Sequence, residues 1–479
     1  MQLIWSALPV LVVIVALFAG VRSLHAALLG VVLALVGMAA AFPLTGDAAF
    51  SALRVWLPVL VEVLLIVGGG LLLSEVLRVA GAQKALAQWI LARTGHGVGA
   101  VLLVVHGVTP FAESLTGFGI GITIGIPLLV HCGLSARKVA VIGLLGLCAV
   151  PWGSMGPGTL IAATMAGLPL DALGVASAYV SVIPFVITGV VAAWLASEPG
   201  ARGGAVAQGT VSGLLLTVAV AVANLTVGTA PAGALGALVM ILLFLARGHF
   251  GARKATEGAA RVALGALGAL GARALTAYAV LLFGVLLAGV VLRVLQLSPA
   301  LHVLASPGVW LFIAALYFSR GLPPQAVLRS SAKSWSQVAP VTGLFIVLGV
   351  LMAVSGMAAQ LARALSAGGV AYLFAAPFVG ALGGFATGSN TGANAMFAAT
   401  QAEIARALSV PLLPFMAVHN VSAALLLMAS PGKIEMACHL APPEALQSRR
   451  WVQMTVLWTD MAAVALMALL NVLLGLYLR

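Results

Sequence analysis

Apolar residues fall in continuous blocks along the whole chain, separated by short polar connectors. A bilayer-spanning helix needs about 20 apolar residues in a row, and block after block meets that length. Segments near 3–19 and 22–43 open the series. An amphipathic stretch at 47–56 leads into a helix ending near Arg78, and a short polar helix carries Lys84 and Arg93. A long apolar region at 97–130 follows, interrupted by Thr109-Pro110 and by Gly117, Gly119 and Gly121. The pattern then predicts helices near 139–166, 171–196, 209–226, 231–246, 274–297, 307–319 and 339–364. A second glycine-broken region spans 370–400, and spans near 410–429 and 451–478 close the chain. The expectation is an all-α polytopic membrane protein with about 12 to 14 transmembrane or re-entrant elements.

Composition agrees. Of 479 residues, 62% are hydrophobic and 7% charged, whereas a soluble domain carries roughly a quarter of its residues as charges. Outer-membrane barrels are excluded, because their strands alternate apolar and polar residues. The net charge of +12 sits in connectors, as the positive-inside rule requires, with no basic stripe to bind nucleic acid. The most polar connector, 247–273, holds Arg253, Lys254 and Arg261 against Glu257 and is expected to be cytoplasmic. The N-terminal block lacks a basic leader region and reads as a retained helix. Cys132, Cys148 and Cys438 are scattered, so neither a disulfide framework nor a metal site is expected.

The two broken regions resemble each other. Gly97-Val98 matches Gly369-Val370, Thr116-Gly117 matches Thr387-Gly388, Leu134-Ser135 matches Leu408-Ser409, and Pro157-Gly158 matches Pro431-Gly432, each about 270 residues apart. The chain therefore divides into an N-terminal repeat half at 1–200, linking helices at 201–273, and a C-terminal repeat half at 274–479. Paired interrupted segments in corresponding halves point to a midplane binding site. Half-helix N-termini there suit an anion. Glycines that only permit close helix packing are the alternative, but the polar run Thr387-Gly388-Ser389-Asn390-Thr391-Gly392, with Asn394, is costly at membrane depth unless it faces a cavity.

Three motifs resemble the lactate permease family. Phe111-Ala112-Glu113-Ser114-Leu115-Thr116-Gly117-Phe118-Gly119 is similar to its Glu-Gly-x-x-Gly-Phe-Gly element, with Ser114-Leu115-Thr116 in place of smaller residues. Gly388-Ser389-Asn390-Thr391 resembles its Gly-Ser-Asn-Thr element, and Val418-His419-Asn420-Val421 its Ile-His-Asn-Val element. The resemblance implies proton-coupled symport of L-lactate, glycolate or a related 2-hydroxy monocarboxylate. It also implies inverted repeats with re-entrant hairpins, a bacterial inner (cytoplasmic) membrane location and, by analogy with elevator transporters, a homodimer.

Ionisable residues inside the membrane are functional candidates by default. Glu113 is expected to carry the proton or to hold the first break in place. His419 can relay a proton or be a satisfied core histidine. His106, two helical turns before Glu113, has spacing that permits a relay. Glu75 and Arg78 form a helix-end pair, and Glu62 lies nearer the helix start. Lys433 can attract a carboxylate, though an interfacial, snorkelling lysine is the expected role. Asp460 is the lone acid of the last span and receives no role. Substrate contact is expected from Ser389, Asn390, Thr391, Asn394 and Gly388, with Ser114, Thr116 and Gly117 opposite. No arginine lies inside either break, which favours a monocarboxylate over a dicarboxylate.

An enzyme would need a clustered catalytic set, such as His-Glu-x-x-His or Gly-x-Ser-x-Gly, and neither that nor a cofactor motif occurs in the sequence. A channel would need an open pore, often from symmetric subunits. A sodium-coupled symporter of another small organic anion is the nearest alternative, since Ser, Thr and Asn oxygens also suit sodium.

Overall fold

The computed structural model describes residues 1–91, 97–117, 119–251, 257–296, 298 and 303–477. Arg93, Phe118, Arg253 and Lys254, read above from the sequence, lie outside them. Among the described residues, all regular structure is helical. Among the same described residues, eleven helices are long and apolar enough to cross a membrane, or up to 12 if a bent pair counts as one span. The protein is a multi-pass membrane protein, and the helix Gln2–Phe18 falls just short of spanning length.

The spans sort into two environments. Val98–Thr116, Ala136–Met155 and Leu412–Ala429 are 83 to 89% buried, whereas Ser23–Ala41 and Gly46–Val79 are 28 and 33% buried. The buried set forms the core, and the apolar side chains left exposed on the other helices face where lipid would lie. A bilayer solvates Leu and Val as readily as a neighbouring helix does, so hydropathy alone does not separate the two sets.

Inside the core the same order of elements occurs twice. The first hairpin runs up Val98–Thr116, turns after Gly117 and returns along Gly121–Val130. Gly121 packs on Thr109 and Glu113, and Gly125 on Thr109 and Val104, so its arms are antiparallel. The second hairpin pairs Val370–Thr387 with Asn390–Ala407, placing Gly383 against Phe397 and Gln401 Nε2 3.2 Å from the Ala376 carbonyl. Gly117 at the first tip (φ 71°, ψ −170°) and Gly388 at the second (φ 63°, ψ 21°) hold conformations that side chains disfavour.

Each hairpin is followed by a broken helix. The helix expected over 139–166 is interrupted. Ala136–Leu145 tightens into a 3-10 segment, the chain unwinds over Gly153–Gly156, and Pro157–Ala166 begins a new helix. Pro151, Gly153, Gly156 and Pro157 supply the reason, since each either removes a donor or tolerates a non-helical backbone. The second counterpart is Leu412–Leu425, a 3-10 turn at Leu426–Ala429, then Ser430 and the helix Pro431–Leu440. Other expectations also shift. The 171–196 helix divides at Ser181, the 339–364 helix at Ser355, and much of the connector at 247–273 is the start of the helix Glu257–Val294.

Candidate functional site

The two hairpin tips and the two breaks converge on one cavity of about 300 Å³. At the first tip the buried Glu113 carboxylate accepts the Gly119 N–H at 2.8 Å and the Gly121 N–H at 3.0 Å. This closes the turn between the hairpin arms and ties up two donors that the helix start would leave unsatisfied. Lys433, in the first turn of Pro431–Leu440, brings its ammonium against Gly119 and sets its charge opposite Glu113.

At the second tip Ser389 caps the helix Asn390–Ala407, its Oγ accepting the Gly392 N–H at 3.3 Å. The Thr387 hydroxyl donates to the Gly383 carbonyl at 2.8 Å and accepts the Ser389 N–H at 3.2 Å, which fixes the turn. One turn further on, Asn394 Nδ2 donates to Asn390 Oδ1 at 2.8 Å and to Asn420 Oδ1 at 2.9 Å. Asn420 Nδ2 in turn donates to Thr159 Oγ1 at 3.0 Å and to Ser177 Oγ at 3.1 Å. The Thr159 hydroxyl donates to the Pro151 carbonyl at 2.6 Å. This buried chain of amides and hydroxyls stitches the second hairpin to the helices that follow the first break.

Four helices start around the cavity, at Gly121, Pro157, Asn390 and Pro431. A helix N-terminus carries about half a unit of positive charge on its unpaired N–H groups, and Lys433 adds a full charge that Glu113 offsets. The net field therefore favours a small anion. Gly158 lies so close to Asn390 that no side chain fits between them, which leaves backbone and amide at the cavity wall. Gln337 and Thr342, from the long helix Pro324–Val354, close another side. Of two further hollows, the one of about 260 Å³ brings together neither an ion pair nor several helix starts, and the one of about 490 Å³, near the helix starts at Leu170, Thr229 and Leu412, is lined by Asp171 with no cationic side chain among its lining residues.

Of the residues read from the sequence, Glu113, Gly388, Ser389, Asn390 and Thr391 line the cavity. Asn394 stands one turn behind. Gly117 packs against Ser154, the Thr116 hydroxyl donates to the Ala112 carbonyl at 2.6 Å, and Ser114 is buried beside Gly233. None of these three lines the cavity. His419 is buried against Gly380 with no hydrogen-bond partner for either ring nitrogen among the described residues. His106 faces away, with Nδ1 2.7 Å from Ser212 Oγ and Nε2 3.4 Å from Thr188 Oγ1. A π-helical turn at Val104–Val108 shifts the register between His106 and Glu113, so their spacing does not put them on one face.

Lys433, read from the sequence as an interfacial lysine or one that attracts a carboxylate, lines the cavity. Pro431 starts a new helix after the second break, and its first turn puts Lys433 at the cavity wall. Ser154, Thr159 and Ser177 were not read from the sequence as site residues. The run from Pro151 to Pro157, with two prolines and two glycines in seven positions, was the available signal.

Residues 295–473 match the family model for L-lactate permease. Over those residues the chain is similar to the lactate permease family. It is 38% identical over 96 residues to the L-lactate permease of Escherichia coli (strain K12), covering 20% of this chain and 17% of that protein. It is 32% identical over 120 residues to the L-lactate permease of Salmonella typhi, covering 24% and 22%. Glycolate permease GlcA of Escherichia coli (strain K12) is 34% identical over 96 residues, covering 20% and 17%. The alignments thus span about a fifth of the length of these lactate permease family relatives. The matched region contains the second hairpin, the second break, Asn420 and Lys433.

Proposed function

We propose that the protein is a secondary transporter that carries a small 2-hydroxy monocarboxylate, of the L-lactate or glycolate kind, together with a proton. The observation that carries this reading is the cavity in which four helix starts and Lys433 meet. The permease names of the relatives support transport over catalysis and point to the substrate class. The repeated order of hairpin and broken helix supports alternating access through inverted repeats, in the inner membrane of a bacterium.

Coupling follows from the Glu113–Lys433 pair. A substrate carboxylate entering the cavity competes with Glu113 for the Lys433 ammonium. An unpaired buried carboxylate is expensive, so Glu113 takes a proton as its counter-charge turns to the substrate. One anion and one proton then cross together, and the loaded site carries less net charge than an anion bound alone. His419, buried beside the second hairpin, is a second candidate for the proton. Sodium coupling is the competing reading, favoured by the Asn390, Asn394, Asn420, Thr159 and Ser177 oxygens clustered behind the cavity.

Uptake of labelled L-lactate into proteoliposomes tests the proposal. An inward proton gradient should drive accumulation that unlabelled glycolate competes for, whereas accumulation driven only by a sodium gradient would replace proton with sodium. Absence of uptake under both gradients would reject a lactate-type substrate. Glu113→Gln should abolish gradient-driven accumulation while leaving exchange of labelled for unlabelled substrate measurable. Full accumulation in that variant would remove Glu113 from coupling.

A further inference from the structure

Away from the central cavity, the hollow of about 260 Å³ opens between the helices Arg202–Val227 and Thr229–Gly251. The two helices meet at Gly228 and run antiparallel, with Gly236 packed on Val220. Gln208 and Arg247 therefore stand at one end of the hollow, and Leu215 and Met240 at the other. From Met240 to Arg247 it follows two helical turns, about 10 Å. Its apolar part combines the buried Leu102 and Met240 with the exposed Val211, Leu215 and Leu243. The exposed Leu214, Val218 and Leu242 continue the apolar surface of the same two helices, where lipid would lie.

Arg247 closes the apolar segment Thr229–Arg247, which puts its charge at headgroup depth. Both Arg247 and Gln208 are exposed, and no acidic residue lines the hollow. The connector that begins at Arg247 is net positive in sequence, with Arg253, Lys254 and Arg261 against Glu257. An apolar slot ending in a guanidinium and an amide matches a phospholipid, whose chains are apolar and whose phosphate takes N–H donors. A zwitterionic headgroup would bring its own cation towards Arg247, so a net anionic headgroup fits better. We infer that the hollow is a binding site for one anionic phospholipid, with an acyl chain between the two helices and the phosphate on Arg247 and Gln208. The site also touches the first hairpin. Leu102 belongs to its first arm, and Ser212 Oγ lies 2.7 Å from His106 Nδ1 on that arm. A seated lipid packs against the arm that carries Glu113 and stabilises the folded protein.

Native mass spectrometry of the purified full chain in detergent tests this, with phosphatidylglycerol and phosphatidylcholine of the same acyl chains as probes. The wild type should bind phosphatidylglycerol about fivefold more tightly than phosphatidylcholine, and should retain one phosphatidylglycerol more than Arg247→Gln does. Arg247→Lys should keep the preference. Leu215→Trp, which fills the apolar end at a lipid-facing position, should lower retention of both lipids. Glycerol 3-phosphate, which carries the phosphate without acyl chains, should not displace the bound lipid at equal concentration. A wild type without the preference would overturn the inference, as would an unchanged preference and lipid count in folded Arg247→Gln. Displacement by glycerol 3-phosphate would also overturn it, since the occupant would then be a free anion.

Discussion

Asn390 and Asn420 share one hydrogen-bond network yet should fail differently. Asn390 lines the cavity, so Asn390→Ala should weaken L-lactate binding by about tenfold, the order expected for a lost polar contact to a charged ligand. Its check is a binding isotherm, and an unchanged affinity would remove Asn390 from the site. Asn420 does not itself line the cavity; from behind the wall it bonds Asn390, Asn394, Thr159 and Ser177. Asn420→Ala leaves several buried groups without partners, each costing about 1–3 kcal/mol. It should lower the thermal stability of the detergent-solubilised protein more than Asn390→Ala does. At this scale the polar run at the second tip was legible because polar residues at membrane depth need a reason. His106 was misplaced because one extra residue in a π turn rotates everything before it, and no sequence period shows that turn. The place of Lys433 at the cavity, opposite Glu113, was not legible because the two lie in different halves of the chain and share no local pattern.

Hairpin tips set the geometry of the elements, and the two tip glycines are not equivalent. Gly117 holds a φ/ψ pair that is essentially reserved for glycine, and a Cβ there would run into the Ser154 side chain. Gly388 is ordinary left-handed helix, with Ser430 Oγ 3.3 Å from where a Cβ would sit. Gly388→Ala should therefore cost about 1 kcal/mol and leave most uptake intact, while Gly117→Ala should abolish uptake or folding. Equal effects in paired uptake and melting measurements would contradict this account of the tips. Both hairpins were legible because a glycine cluster interrupts an otherwise apolar run. The first break was not, because Pro151 to Pro157 sits in sequence apolar enough to read as uninterrupted helix. The second was half legible, through Pro431-Gly432.

Across the whole molecule, the four sequence matches between the halves fall at equivalent places. Gly97 and Gly369 cap the first arm of each hairpin, Gly117 and Gly388 stand at the tips, and Ser135 and Ser409 lie in the connectors that follow. Pro157 and Pro431 start the helices after the breaks. Spacing alone carried that much of the architecture. How the halves close on one another was hidden, because contacts such as Gly158 on Asn390 and Asn420 on Thr159 join residues more than 200 positions apart and leave no local pattern. The central claim is that this shared cavity, with Lys433 as its cation, binds a small 2-hydroxy anion. Equilibrium binding of labelled L-lactate to the purified full chain, wild type against Lys433→Gln and Lys433→Arg, tests it most directly. The predicted result is saturable, glycolate-displaceable binding that weakens by about tenfold or more in Lys433→Gln and less in Lys433→Arg. Equally tight binding in folded Lys433→Gln, or none in the wild type, would contradict it.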